Sequence, residues 1–161
     1  MGKTYAELEI GDRFITPGRT ITEGDVFLFA GLTGDYNPIH TNRTFAEVTD
    51  FGECIAHGSL GIGVAFGLLS RIDLIDGTVI ALLGLKWNFH APVRFGDTVH
   101  VVAEVTNKRP VKHEDRGIVE LDLKIPNQEG VLTHSGSATV LLRRERPAAA
   151  GWGKAAKSSA A

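Results

Sequence analysis

The chain has 161 residues, is 43% hydrophobic, and sets seventeen basic against nineteen acidic side chains for a formal charge of −2. That length suits one domain with a proper core, and the balanced charge, without a block of like sign, excludes a nucleic-acid stripe or a polybasic membrane patch. The expected partner is a small molecule. The single cysteine, Cys54, cannot form an internal disulfide, and the opening "MGKTYAELEIGDRF" lacks the apolar run of a secretory signal, so a cytoplasmic location is expected.

In chain order, Thr22 is placed to cap a first helix, with Asp25 at its third position and Val26, Phe29 and Ala30 at helical spacing. That helix ends near Gly34, because Pro38 forces Asn37 out of the helical region. A second short helix is expected over "RTFAEVTD". The segment "HGSLGIGVAFGLLSRI" carries no charge between His57 and Arg71, and reads as a helix from Gly58 to Ile72 buried all round, with Gly61, Gly63 and Gly67 as close-packing sites. From Gly58 to Leu69 it is too short for a membrane span of about twenty residues.

After Asp76-Gly77 the period changes to two. Val119, Leu121, Leu123 and Ile125 fall on one face of a strand, and Glu120, Asp122 and Lys124 on the other. Turn signals at "RFGD", "HEDRG" and "NQEG" separate runs over 79–93, Thr98 to Lys108, Gly117 to Pro126 and Val131 to Arg143. Helices first and strands later argue an α+β fold, an antiparallel sheet covering one central helix. A single domain is expected over 1–146, followed by an Ala/Gly/Ser-rich appendage over 147–161 that is too poor in apolar bulk to pack by itself.

The stretch "TGDYNPIHTN" concentrates an acid, an amide, a proline and a histidine. Gly34-Asp35 and Asn37-Pro38 are turn formers in their own right. His40 adds chemistry, since a proline-stiffened loop can aim a carboxylate and an imidazole at one point and hold a water between them. One group then takes a proton while the other delivers one, as the addition of water to an activated double bond requires.

"FAGLTGDYNPIHTNRTFA", followed by "AHGSLGIG", resembles the hydratase motif of the MaoC-like dehydratases and (R)-specific enoyl-CoA hydratases, and the similarity in character runs from about Tyr5 through "NFHAPVRFGDTV" to Arg143. The resemblance implies a hot-dog fold with the Asp-to-His loop overhanging the ligand tunnel. It implies reversible hydration of trans-2-enoyl-CoA to (R)-3-hydroxyacyl-CoA by a homodimer or higher homo-oligomer. The thiol carrier is CoA or an acyl carrier protein, and no cofactor or metal is required. Carried over position by position, Asp35 and His40 are the catalytic pair, with His40 preferred as base and Asp35 as proton donor, an assignment that is open to exchange because the groups are coupled. Gly58 is the residue whose N–H receives the thioester oxygen, which helix N-termini do well.

Asn37 is expected to organise the loop at the substrate end, Ser59 to line or cap, and Val64, Phe66, Leu68 or Leu69 to line an acyl pocket, with Leu69 taken as the substrate-binding choice. His57 reads as a packing residue at the helix start. His90, His100, His113 and His134 show no metal-ligand spacing, and Cys54 reads as a buried inert thiol. Arg71, Lys86, Arg94, Lys108, Arg109 and Lys112 are the cations available for CoA phosphates. Two alternatives stand beside this reading. One is a hot-dog thioesterase, which needs a carboxylate on or beside the central helix where Gly58 to Ser70 has none. The other is a non-catalytic acyl-CoA-binding or heteromer-building subunit, against which the presence of both Asp35 and His40 argues.

Overall fold

Alternation builds the wall of the core. In strand β6 (Arg116–Pro126), Val119, Leu121, Leu123 and Ile125 point inward and are at most 2% exposed, while Lys124 stands in solvent. The computed structural model describes residues 2–146, so the expected appendage over 147–161 lies outside the described residues. β6 is the centre of a five-stranded antiparallel sheet. Its members are β1 (Arg13–Ile15), β3 (Val79–Phe89), β5 (Val102–Pro110), β6 and β7 (Leu132–Arg143), in the order β1-β5-β6-β7-β3. A two-stranded sheet pairs β2 (Arg19–Thr20) with β4 (Thr98–Val99).

The helices are α1 (Glu23–Thr33), the single turns α2 (Pro38–Thr41) and α3 (Arg43–Ala46), and the central α4 (Gly58–Ser70). Val64, Ala65, Leu68 and Leu69 of α4 share one cluster with Ala103, Val105, Leu121, Ala138, Val140 and Leu142 of the sheet. This is the α+β hot-dog arrangement, a sheet wrapped round one helix. The join is apolar on both sides, so burial rather than hydrogen bonding holds helix to sheet.

Several boundaries differ from the sequence reading. α4 stops at Ser70 and is not buried all round, because Ser59, Gly63, Gly67 and Ser70 are exposed. A Cβ on Gly63 or Gly67 would meet nothing within 4 Å, so of the three glycines only Gly61 is a close-packing site. The expected helix over 43–50 is the one turn of α3. β3 ends at Phe89, where the N–H groups of His90 and Ala91 both turn to the Thr133 carbonyl and Pro92 has no N–H to continue a ladder. The run expected from Thr98 is broken as the chain changes sheets, with the Val101 N–H donating to Thr16 Oγ1 at 2.9 Å. β1 and β2 are too short for periodicity to register in the sequence.

The inward face of β6 makes a direct stability test. Leu121→Ala should cost about 2–5 kcal/mol, whereas Lys124→Ala on the opposite face should stay within about 0.5 kcal/mol, both measured by urea unfolding. Equal effects would contradict the assigned faces.

Candidate active site

α1 delivers the loop. Thr22 and Asp25 form a reciprocal capping box at its start, and Gly34, with φ of 78°, ends it in the left-handed conformation that glycine tolerates. Beyond it, Asp35 Oδ1 accepts the Asn37 N–H at 3.2 Å, and Asn37 Oδ1 caps α2 by accepting the Ile39 N–H at 3.2 Å. Pro38 occupies the first turn, where its missing N–H costs nothing. The loop from Asp35 to His40 is thus a chain of short side-chain turns.

His57, the N-cap residue of α4, fastens that loop to the central helix. It is 2% exposed, its Nε2–H donates to the Asp35 carbonyl at 2.9 Å, and its ring lies 3.9 Å from that of His40 at an interplanar angle of 32°. Phe29 of α1 packs on it at 5.1 Å. His40 Nδ1 is 2.8 Å from the Ile55 carbonyl, so the neutral ring carries its proton there and leaves Nε2 as a lone pair. Burial holds the His40 imidazole below the ordinary histidine value, against the opposing pull of its bond to the Ile55 carbonyl.

One side-chain ligand atom from each of Asp35, His40 and His57 lies within 4.8 Å of the others. A carboxylate oxygen and a ring nitrogen at such a separation can share one bridging water with a hydrogen bond of about 2.8 Å to each. The same three groups suit a metal ion poorly. One nitrogen of each ring is committed to a carbonyl, His40 Nδ1 to that of Ile55 and His57 Nε2 to that of Asp35, which leaves few free donors for a metal ion.

A cavity of about 530 Å³ opens beside this group, walled by His40, Ile55, Gly58, Ser59, Phe89 and His134 among others. The N–H of Gly58 makes no hydrogen bond among the described residues, as expected for the first residue of a helix, so it is free to receive an oxygen. A side chain at position 58 would also collide, since a Cβ there would lie 2.7 Å from the Phe89 ring. His40, Gly58 and Ser59 therefore share the cavity wall, and Asp35, which does not line it, stands within 4.8 Å of His40. Asn37 serves the loop. Leu69 is not brought to the cavity: it is fully buried in the core, about three turns along α4 from Gly58. Val64 and Leu68 are core residues too. Phe89, His90 and His134, to which sequence reasoning assigned no part in the site, line the cavity.

A sheet wrapped round one central helix, with an Asp–His loop near that helix's N-terminus and a cavity beside it, makes this a hot-dog protein. The chain belongs to the MaoC-like domain family, whose model matches residues 6–124. It is 36% identical over 135 residues to an (R)-specific enoyl-CoA hydratase of Aeromonas caviae, covering 84% of this chain and 96% of that one. It is 43% identical over 94 residues to an (R)-specific enoyl-CoA hydratase of Rhodospirillum rubrum, a match covering 58% of this chain and 64% of that protein's length. The unliganded R-hydratase PhaJ1 of Pseudomonas aeruginosa superposes with a TM-score of 0.75 at 34% identity, covering 88% of this chain and 86% of that one. Among the described residues no helix is long and apolar enough to cross a membrane.

His134 gives a pH test. Burial pushes it down to about 4, so it is neutral in the fold, while in the unfolded chain it titrates near its ordinary value of about 6.5. Between those values the unfolded state binds the extra proton, so stability is complete above about pH 6.5 and falls as the pH drops toward 4, and His40 adds to this with the same sign. The urea midpoint should fall between pH 7 and pH 4.5, and less steeply in His134→Leu. A midpoint that held constant or rose over that interval would contradict the assignment.

Proposed function

We propose that the chain is a hydro-lyase that adds water reversibly to trans-2-enoyl-CoA, giving (R)-3-hydroxyacyl-CoA, with Asp35 and His40 as its acid–base pair. The observation that carries this reading is the grouping of the Asp35 carboxylate with the His40 imidazole, which itself lines one cavity with Gly58 and its free N–H. In the hydration direction His40 Nε2 removes a proton from the bridging water as its oxygen bonds to C3. The π electrons move onto the thioester oxygen, where the Gly58 N–H and the positive end of α4 stabilise the enolate. As the enolate collapses, the proton that His40 took from the water passes by way of the Asp35 carboxylate to C2, which leaves both groups as they began. The proton count balances across the coupled pair, and dehydration runs the same path in reverse. Neutral His40, favoured by its burial, is the form this role needs.

β3 supports a second copy of the chain as partner. It pairs with β7 on one side only, and Leu82, Leu83 and Phe89 are half exposed or more along it. A long apolar edge of this kind is a template for strand pairing. Of the cations available for CoA phosphates, Arg94 is tied to Glu53 and the Phe51 carbonyl, and Lys108 to the Leu8 carbonyl. Arg71, Lys86, Arg109 and Lys112 are exposed and form no ion pair among the described residues, which favours them as phosphate partners.

Asp35→Asn and His40→Gln should each lower the rate of crotonyl-CoA hydration by about 10²–10⁴-fold with the melting temperature nearly unchanged, followed by loss of the conjugated thioester absorbance. In the wild type the rate should decline on the acid side as His40 protonates, with its inflection below the ordinary histidine value. Near-wild-type turnover in either variant would remove the pair from the mechanism.

A further inference from the structure

The cavity has a built end. His134, on β7, is 3% exposed and lies in its wall one turn of α4 beyond the head formed by His40 and Gly58. The Thr133 hydroxyl donates its hydrogen to the Ile125 carbonyl at 2.7 Å, so Thr133 Oγ1 can only accept from His134 Nδ1, 2.9 Å away. That bond fixes the ring's tautomer and its rotation. The far edge of the ring rests on α4, where a Cβ on Gly61 would stand 2.8 Å from Nε2. Phe89 meets the ring edge-on at 5.2 Å, and Trp87 lies at 6.2 Å.

Behind the ring is a small hollow of only about 10 Å³, walled by Ile21, Leu60, Val99 and Ile125, and sharing Ala56, Val93 and His134 with the main cavity. The ring is thus a partition between an open chamber and an apolar recess, held by one hydrogen bond, a helix backbone and two aromatic neighbours. The hollow is too small to take an imidazole, so the ring cannot swing back out of the chamber's way.

We propose that His134 is the end wall of the acyl chamber and restricts the protein to short 2-enoyl thioesters. The inference rests on the hydratase reading for its substrate class, but the wall itself is a matter of shape. A longer chain would have to displace a packed ring, and a neutral imidazole has no attraction for a methylene strong enough to offset the broken packing. Each methylene that a pocket admits or refuses is worth about tenfold or more in kcat/KM, so one ring is enough to set a length limit.

The test is a length series, C4, C6, C8 and C10 trans-2-enoyl-CoA, on the wild type, His134→Ala and His134→Leu. The wild type should fall by about tenfold or more in kcat/KM between C4 and C8. In His134→Ala the C8:C4 ratio should rise at least tenfold, chiefly through KM, while His134→Leu, which restores bulk without the hydrogen bond, should keep the wild-type order. An unchanged ratio in His134→Ala, or a wild type that takes C8 and C10 as readily as C4, would overturn the wall. Calorimetric binding of saturated butyryl-CoA and octanoyl-CoA to the same proteins should give the same order. That arm separates the two claims: hydration of none of the enoyl-CoAs sinks the hydratase reading, and equal binding of the two saturated thioesters by the wild type sinks the wall. Should His134→Ala fail to fold, the wild-type series and the binding pair still decide.

Discussion

One buried hydrogen bond joins the two halves of the site. The Nε2–H of His57 donates to the Asp35 carbonyl, and the His57 ring packs against that of His40 at 3.9 Å, tilted by 32°. Because His57 is also the N-cap residue of α4, the single side chain sets the loop's height above the helix terminus that holds the free Gly58 N–H. The Asp35 carboxylate, the His40 imidazole and the Gly58 N–H are placed relative to one another through that bond. Its other nitrogen, Nδ1, is buried without a hydrogen-bond partner among the described residues.

Glycines on α4 let the sheet come close enough to complete the chamber. Gly58 and Gly61 lie on one face of the helix, and each leaves room for a ring, Phe89 of β3 against the first and His134 of β7 against the second. The helix therefore has two faces with different tasks. Val64, Ala65, Leu68 and Leu69 bind it to the sheet through ordinary apolar burial, while the glycine face near its N-terminus keeps the space in which a ligand fits. The stability of the fold and the shape of the cavity are thereby carried by different residues of the same thirteen-residue helix.

Much of this is legible in the sequence because it is local. The capping box at Thr22, the alternation through Ile125 and the uncharged run after His57 each follow from residues a few positions apart, and they define α1, β6 and α4. The loop carrying Asp35, Asn37 and His40 can be read for the same reason. What escapes a linear reading is contact across the fold. Helical phase alone points to Leu69, yet that phase faces the sheet and not the chamber. His134 stands in the sequence as one of several scattered histidines, although it shares strand parity with Gly136, Ala138, Val140 and Leu142, all buried. A histidine at an inward position of an otherwise apolar strand is the available signal. The role of Gly61 needs its partner ring, which lies far away in the chain.

If Asp35 and His40 are the reacting groups, both reach the alkene from one loop and hence from one face. Hydration of crotonyl-CoA in heavy water, with chiral chromatography of the product and NMR assignment of the deuterium at C2, tests this most directly. The expected product is (R)-3-hydroxybutyryl-CoA with hydroxyl and deuterium added syn. An S product, or anti addition, would contradict it, even if Asp35 and His40 both proved essential.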